Sequence, residues 1–456
     1  MSSMDIGRVI AEVKDASTPS AKQRRVVAKA VEKVIQLLER ASREAAVSPR
    51  IEIGGSYAHD TWLETETDVD FFLVYPKEVG RVRFEELGLS LAEAALRGRS
   101  PRLRYAEHPY VEAEVDSVTV NVVPCYGVAK GEWKSAADRS PYHTKYMADH
   151  LNEGLKSEVR VLKRFLKAQE LYGAEIRTRG FSGYACEVLV LKYGSFVELL
   201  RSAASWQKGV VISVEGGEGD AKALFEGGAF VLLDPVDTTR NLGLAVSPTK
   251  LAEFVHLSRL FLRRPNLGFF GARQLRPLKD PKDHVRRHTL MLRFAFKDRS
   301  EDILWGELWK SANGVAEHLA RDGVRVLRYS IAAERERASI AFLLSVEELP
   351  RTFERIGPEV FMKDASDRFL AASAGRADSW WLGDDMRSHA LFENDISRPA
   401  DLLLKYMEDP VTRVGFAKGL AVEAKETYEV LIGRRAYSSR RTVDRMALSE
   451  LVGFRF

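Results

Sequence analysis

The sequence predicts an α+β protein of several domains: an α+β head at residues 1–150, a helical central domain at 151–270, and an α+β C-terminal body with a tail at 271–456. Three observations carry this expectation. At 456 residues the chain is too long for one compact core and, at roughly 100–200 residues per domain, suggests two to four. In the first 150 residues, short runs of strong strand formers alternate with helical periodicity, and from about 150 helices take over. The last third mixes both patterns again.

Residues 20–46 space their apolar positions three and four apart, as one helix face requires, and Pro49 stands just past the end. Arg50–Gly54 is a short strand, followed by a Gly54-Gly55-Ser56 turn. Asp68–Tyr75 (DVDFFLVY) is a strand of strong β-formers. A helix at about 83–97 precedes three extended runs, Leu103–Glu107, Tyr110–Val115 and Val118–Pro124. Together these make a small sheet with helices on one side. Helices are expected at 152–169 and 181–204. A Gly-rich interruption at 215–228 then leads into the strand Ala229–Leu233 and a helix at 248–264. Beyond it come a helix at about 301–321, strands at Val324–Ser330 and Ser339–Ser345, a Trp380-Trp381 segment read as core in preference to a stacking platform, and a helix around 412–433. No internal repeat or long low-complexity tract occurs.

Composition narrows the function. Hydrophobic residues at 45% and charged residues at 29% describe a soluble globular chain, and no apolar run of about 20 residues exists to span a membrane. The first residues lack a continuous apolar stretch, which argues against a signal peptide. Only two cysteines occur, Cys125 and Cys186, so disulfide scaffolds, Cys-rich zinc sites and iron–sulfur clusters are poor readings. Both lie in apolar contexts and read as core residues in a reduced, cytoplasmic setting. A net charge of +4 does not by itself signal nucleic-acid binding. The densest basic stretch, Arg263–Arg299, interleaves Phe with Arg. It reads equally as a contact for nucleic-acid backbone and bases, or as a basic loop before a strand.

The sharpest chemical signal is IGGSYAHDTWLETETDVDFFLVY. A Gly-Ser turn is followed, after eleven intervening residues, by two aspartates separated by one residue on a strand. Period two puts Asp68 and Asp70 on one face. Ionised carboxylates so close repel unless a cation sits between them, and magnesium takes such oxygens together with substrate phosphates. The turn offers backbone N–H groups to a phosphate. These parts point to phosphoryl or nucleotidyl transfer from a nucleoside triphosphate with two metal ions.

This pattern resembles the DNA-polymerase-β-like nucleotidyltransferases. GGSYAHDTWLETETDVDFFLVYP, RYAEHPYV, VNVVPCY, GFSGYACEVLVLKYGSF, DPVDTTRN and NLGFF are together similar to the archaeal-type (class I) CCA-adding tRNA nucleotidyltransferases, in order from about residue 20 to 275. The resemblance implies a polymerase-β-like head, template-independent repair of the 3′-terminal CCA of tRNA from CTP and ATP, and Mg2+ as cofactor. As partners it implies tRNA, CTP and ATP, no membrane, and it admits a homodimer. Asp68 and Asp70 then hold metal. The third carboxylate of the family pattern falls on Asn121, whose amide oxygen can coordinate but carries no charge. Asp116, five residues from Asn121, points to the opposite face of an uninterrupted strand. This departure keeps open a catalytically weakened tRNA-end-binding homologue. A poly(A)-polymerase-like or oligoadenylate-synthetase-like transferase is the other alternative.

By the same resemblance Gly55, Ser56 and His59 meet the triphosphate, while His143, Lys163 and Tyr172 match positions that hold phosphates and ribose. Nine residues of ideal helix turn about 900°, so Lys163 and Tyr172 can serve one nucleotide only if their helix ends between them, as Leu171-Tyr172-Gly173 permits. Arg240, in DPVDTTRN, is given the base edge, for which its planar fork is suited.

Overall fold

The computed structural model describes residues 5–65, 68–105, 109–271 and 281–453. The chain divides into two compact units, residues 1–273 and 274–456.

The first unit begins with a helix the sequence reading passed over, α1 (Ile6–Ser17), capped by Asp5. Next come α2 (Ala21–Glu44), β1 (Arg50–Gly54), the single turn α3 (Gly55–Ala58), β2 (Asp68–Pro76) and α4 (Arg81–Ala95). The extended runs are β3 (Arg102–Tyr105), β4 (Pro109–Val115) and β5 (Val118–Gly127). Strand order is β1-β2-β5-β4-β3, with β2 and β5 parallel and the other pairs antiparallel. One face is apolar. Val69, Phe71 and Leu73 of β2, Val118, Val120 and Val122 of β5, and Val111 and Ala113 of β4 pack with Val34 and Leu38 of α2 and Leu91 of α4. Strand alternation therefore turns Asp68, Asp70 and Asn121 to the other face.

The same unit continues through α5 (Ser140–His150), α6 (Glu153–Ala168), α7 (Gly183–Tyr193) and α8 (Phe196–Ala203). The single helix expected at 181–204 is two, because Gly194 closes the first in the left-handed region at φ 79° and Ser195 caps the second. The Gly-rich interruption holds a short helix, α9 (Glu218–Leu224). Strand β7 (Phe230–Leu232) pairs in parallel with β6 (Val210–Ile212), ahead of α10 (Pro248–Arg263). Phe165, Phe196, Phe261 and Phe270 form the aromatic centre of this helical core, which also buries Cys186. Cys125 is buried as well.

The second unit contains α11 (Asp283–Arg287), β8 (Thr289–Ala295), α12 (Glu301–Arg321), β9 (Val326–Glu334), β10 (Arg337–Leu344) and β11 (Thr352–Glu359). It continues with α13 (Lys363–Ser373), β12 (Ser379–Leu382), β13 (Arg387–Glu393), α14 (Pro399–Met407), α15 (Pro410–Val414) and α16 (Lys418–Thr427). Strand β14 (Glu429–Ile432) and helices α17 (Arg434–Tyr437) and α18 (Thr442–Val452) complete it. Its sheets run β14-β8-β10-β9 and β11-β13-β12.

Two expectations are corrected here. The helix placed around 412–433 is two short helices and a strand, interrupted at Gly415 and completed by Val430 and Leu431 pairing with β8. Trp380 and Trp381 are not core. They lie on the four-residue edge strand β12, 44% and 38% exposed, since a three-stranded sheet leaves its edge uncovered. In the basic stretch, Phe270, Phe294 and Phe296 are buried in the cores, and residues 272–280 lie outside the described residues.

Candidate active site

Asp70 is the centre of the polar face. It lies in register with Gly54 on β1 and with Asn121 on β5. The Asn121 amide donates Nδ2–H to Asp70 Oδ1 at 3.0 Å. On its other side Asn121 is in register with Glu112, whose Oε1 is taken by Arg104 Nε and Nη2 at 3.1 and 2.7 Å. Asp116 stands apart. It and Ser117 form the left-handed turn between β4 and β5, and its carboxylate meets Lys33 of α2 at 2.7 Å. No bulge brings it to the site.

The glycine of the turn is sterically required. Gly55 has φ +66°, and a Cβ there would fall 2.1 Å from Asp70 Oδ2. This closeness sets the turn's backbone against the carboxylates. The chain then runs through His59 to Thr61, both buried.

A cavity of about 370 Å³ opens over this face. Gly55, Ser56, His59, Asp68, Asp70, Asn121, His143, Lys163 and Tyr172 all line it. Of the residues the resemblance assigns to metal or nucleotide, Arg240 alone is absent from this lining. Lys163 and Tyr172 converge because α6 ends at Ala168 and the chain reverses through Glu170, at φ +56°. Both reach the backbone of Gly183, whose missing Cβ would lie 2.9 Å from the Tyr172 hydroxyl and 3.7 Å from Lys163 Nζ. Arg240 instead sits 3.5 Å from Asp234, a fully buried carboxylate that also receives His143 Nε2–H at 2.8 Å. It is tied to the cavity through that aspartate, and the His143 ring stacks on Tyr184.

Sequence reasoning missed Glu187 and Tyr184, which line the cavity, and Thr61 and Asp234, which tie its residues together. Glu187 accepts from Thr61 Oγ1 at 2.5 Å and pairs with His59 Nδ1 at 2.9 Å; Lys163 Nζ donates to Thr61 O and Oγ1, each at 3.2 Å. A lone carboxylate inside the apolar run ACEVLVL was the available signal. Such a residue is rarely buried unless paired.

Burial pushes the Asp70 carboxyl above the ordinary carboxylate range, against the opposing pull of the Asn121 hydrogen bond and the His59 and Lys163 charges. Asn121 Oδ1 is buried with no hydrogen-bond partner among the described residues. A cation held by Asp68, Asp70 and that amide oxygen relieves both conditions, so the donors fit a hard, oxygen-seeking divalent ion. Among the described residues no cluster of three His, Cys, Asp or Glu side chains is poised for a metal; the third donor here is an amide.

Three family models match the chain in succession: a nucleotidyltransferase domain at residues 34–143, a tRNA nucleotidyltransferase second domain at 157–271, and a CCA-adding enzyme C-terminal domain at 287–433. The CCA-adding enzyme of Methanopyrus kandleri is 34% identical over 423 residues, covering 88% of this chain and 86% of that protein. That of Archaeoglobus fulgidus is 34% identical over 412 residues, covering 88% and 89%. The Saccharolobus shibatae enzyme is 35% identical over 367 residues, covering 80% and 84%.

Proposed function

The chain belongs to the archaeal-type CCA-adding tRNA nucleotidyltransferases, and from that premise we propose how its residues divide the work of adding C, C and A to a tRNA 3′ end. The reaction is attack by the primer 3′-hydroxyl on the α-phosphorus of CTP or ATP, with release of pyrophosphate. Nucleotidyltransferases of this kind generally use divalent metal ions. We assign Mg2+ to Asp68, Asp70 and the Asn121 amide, where it supplies charge neutralisation at the reacting phosphate.

The triphosphate lies in the cavity. The Gly55-Ser56 turn presents N–H groups and a hydroxyl to its oxygens, and Lys163 supplies the fixed positive charge. His59 and His143 turn their remaining ring nitrogens to the phosphates, and Tyr172 offers its hydroxyl and ring to the sugar. Arg240, steadied by Asp234, faces the base. One observation supports this division above the others: residues separated by more than a hundred positions, from Gly55 to Tyr172, line a single cavity around Asp70. Asn121 bears on rate and not on the kind of reaction, because it removes one negative charge from a donor set that otherwise remains.

The second unit is assigned to gripping tRNA. A cleft of about 480 Å³ there is lined by Arg293, Arg435, Arg440, Arg441 and the hydroxyls of Ser438 and Ser439, a composition suited to backbone phosphates. Among the described residues no helix is long and apolar enough to cross a membrane; a tRNA substrate supports a cytoplasmic setting.

The test of the assignment is Asp70→Ala. It should abolish nucleotide addition while leaving tRNA affinity within a few-fold, measured by filter binding. A large loss of tRNA affinity would show that the carboxylates and the tRNA grip are not separate.

A further inference from the structure

Glu187 has no part in the division of work given above, yet it is among the most deeply buried charged groups in the protein. It sits on α7 between Cys186 and Val188, both fully buried, and is itself 2% exposed. A carboxylate so placed is strongly disfavoured unless its oxygens are satisfied. Here burial pushes the carboxyl upward, and the His59 hydrogen bond and charge, the Lys163 charge and the Thr61 hydroxyl outweigh it, holding Glu187 below the ordinary carboxylate range. Both of its oxygens are engaged, Oε1 by the Thr61 hydroxyl and Oε2 by His59 Nδ1 at 2.9 Å.

That contact orients the ring: with Nδ1 engaged by Glu187 Oε2, Nε2 is the atom left for the cavity's occupant. Nε2 is buried and has no hydrogen-bond partner among the described residues. Lys163 reaches the same cluster, its Nζ held by Thr61 at 3.2 Å and 4.0 Å from Glu187 Oε1. Three segments converge here: the loop after α3 carries His59 and Thr61, α6 brings Lys163 and α7 brings Glu187. Asp70 on β2 is the other charged group facing them.

We propose that Glu187 is the positioning residue of the triphosphate subsite, holding His59 with Nε2 turned to a phosphate oxygen and, through Thr61, keeping the Lys163 ammonium beside it. In the imidazolium form both ring nitrogens donate, Nδ1 to Glu187 and Nε2 to phosphate. Without the carboxylate the ring is free to turn and its N–H to leave the cavity. The inference rests on the reading that the triphosphate occupies this cavity.

The experiment is a mutant cycle on the full-length enzyme with tRNA lacking its CCA end, reading KM for CTP separately from kcat. Glu187→Gln, which keeps the shape and removes the charge, should raise KM for CTP at least tenfold. Its kcat should stay within about threefold and its tRNA affinity should be unchanged. In a His59→Ala background the same change should add less than about threefold. Should Glu187→Gln fail to fold, Glu187→Asp keeps the charge on a shorter arm and should still raise KM.

Three results overturn the proposal. A lower kcat or melting temperature with KM unchanged makes Glu187 a structural residue only. A full tenfold effect in the His59→Ala background means that it does not act through His59. If His59→Ala itself leaves KM unchanged, the placement of the triphosphate fails, and the role of Glu187 fails with it.

Discussion

Asn121 is where this chain departs from its family's pattern, and its surroundings define what the departure does. The amide donates to Asp70 at 3.0 Å, a neutral contact where a carboxylate would set two like charges in cross-strand register. Asn121→Asp should therefore lower the melting temperature in a chelator and regain it on adding Mg2+. In the same variant nucleotide addition should accelerate at least about tenfold, roughly 1.4 kcal/mol of barrier. Equal rates at saturating Mg2+ would mean that the third carboxylate does not limit the enzyme. Asp116→Ala should change little, since that side chain is engaged by Lys33 in a hairpin turn. Arg240→Ala should loosen discrimination among the four nucleoside triphosphates more than it weakens their binding, at about 1–3 kcal/mol for one lost bidentate base contact. A uniform loss of affinity would make Arg240 a phosphate ligand. At this scale much was legible beforehand. Strand parity put Asp68 and Asp70 on one face, and the VNVVPCY run brought Asn121 beside them. Glu187 was not legible, because a carboxylate in an apolar helix reveals that it is paired but not with what.

Between elements, the loop that carries His59 is held by charge as well as by packing. Asp60, at φ +53°, takes Arg24 of α2 at 2.7 and 3.2 Å and Arg160 of α6 at 2.9 Å. Burial acts to raise its carboxyl, but the two guanidinium groups prevail and hold it below the ordinary range. A depressed carboxyl contributes stability that is present above the unfolded value and lost as pH falls through the folded one. Asp60→Asn should thus destabilise the first unit by about 1–3 kcal/mol at pH 7. The difference from the parent should shrink as urea melts are repeated towards pH 3, and a constant difference would remove the ion pairs from the explanation. Helices and strands with strong periodicity, such as α2, β2 and α12, were readable from sequence. What failed were breaks that a single residue decides, at Gly194 and Gly415, and short strands such as β12 and β14, whose identity comes from a distant partner and not from their own residues.

In the whole molecule, chemistry and grip are assigned to different units, so they should be separable. Replacing Arg435 and Arg440 together by Ala should weaken tRNA binding and reduce the salt slope of log K by roughly 1–2, leaving KM for CTP unchanged. An unchanged slope would take the arginine-lined cleft out of the tRNA path. The division into a catalytic and a gripping part follows from chain length and motif position, but the C-terminal third carries few motifs, and its two small sheets emerge only from strand pairing. The central claim, that this chain builds CCA on tRNA despite Asn121, is tested most directly by one incubation: tRNA ending before its CCA, with CTP, ATP and Mg2+, followed on a sequencing gel. The predicted result is stepwise addition of C, C and A and then a stop, absent when the divalent ion is chelated. No extension at any Mg2+ concentration with tRNA binding intact, or an unbroken run of one nucleotide, would contradict it.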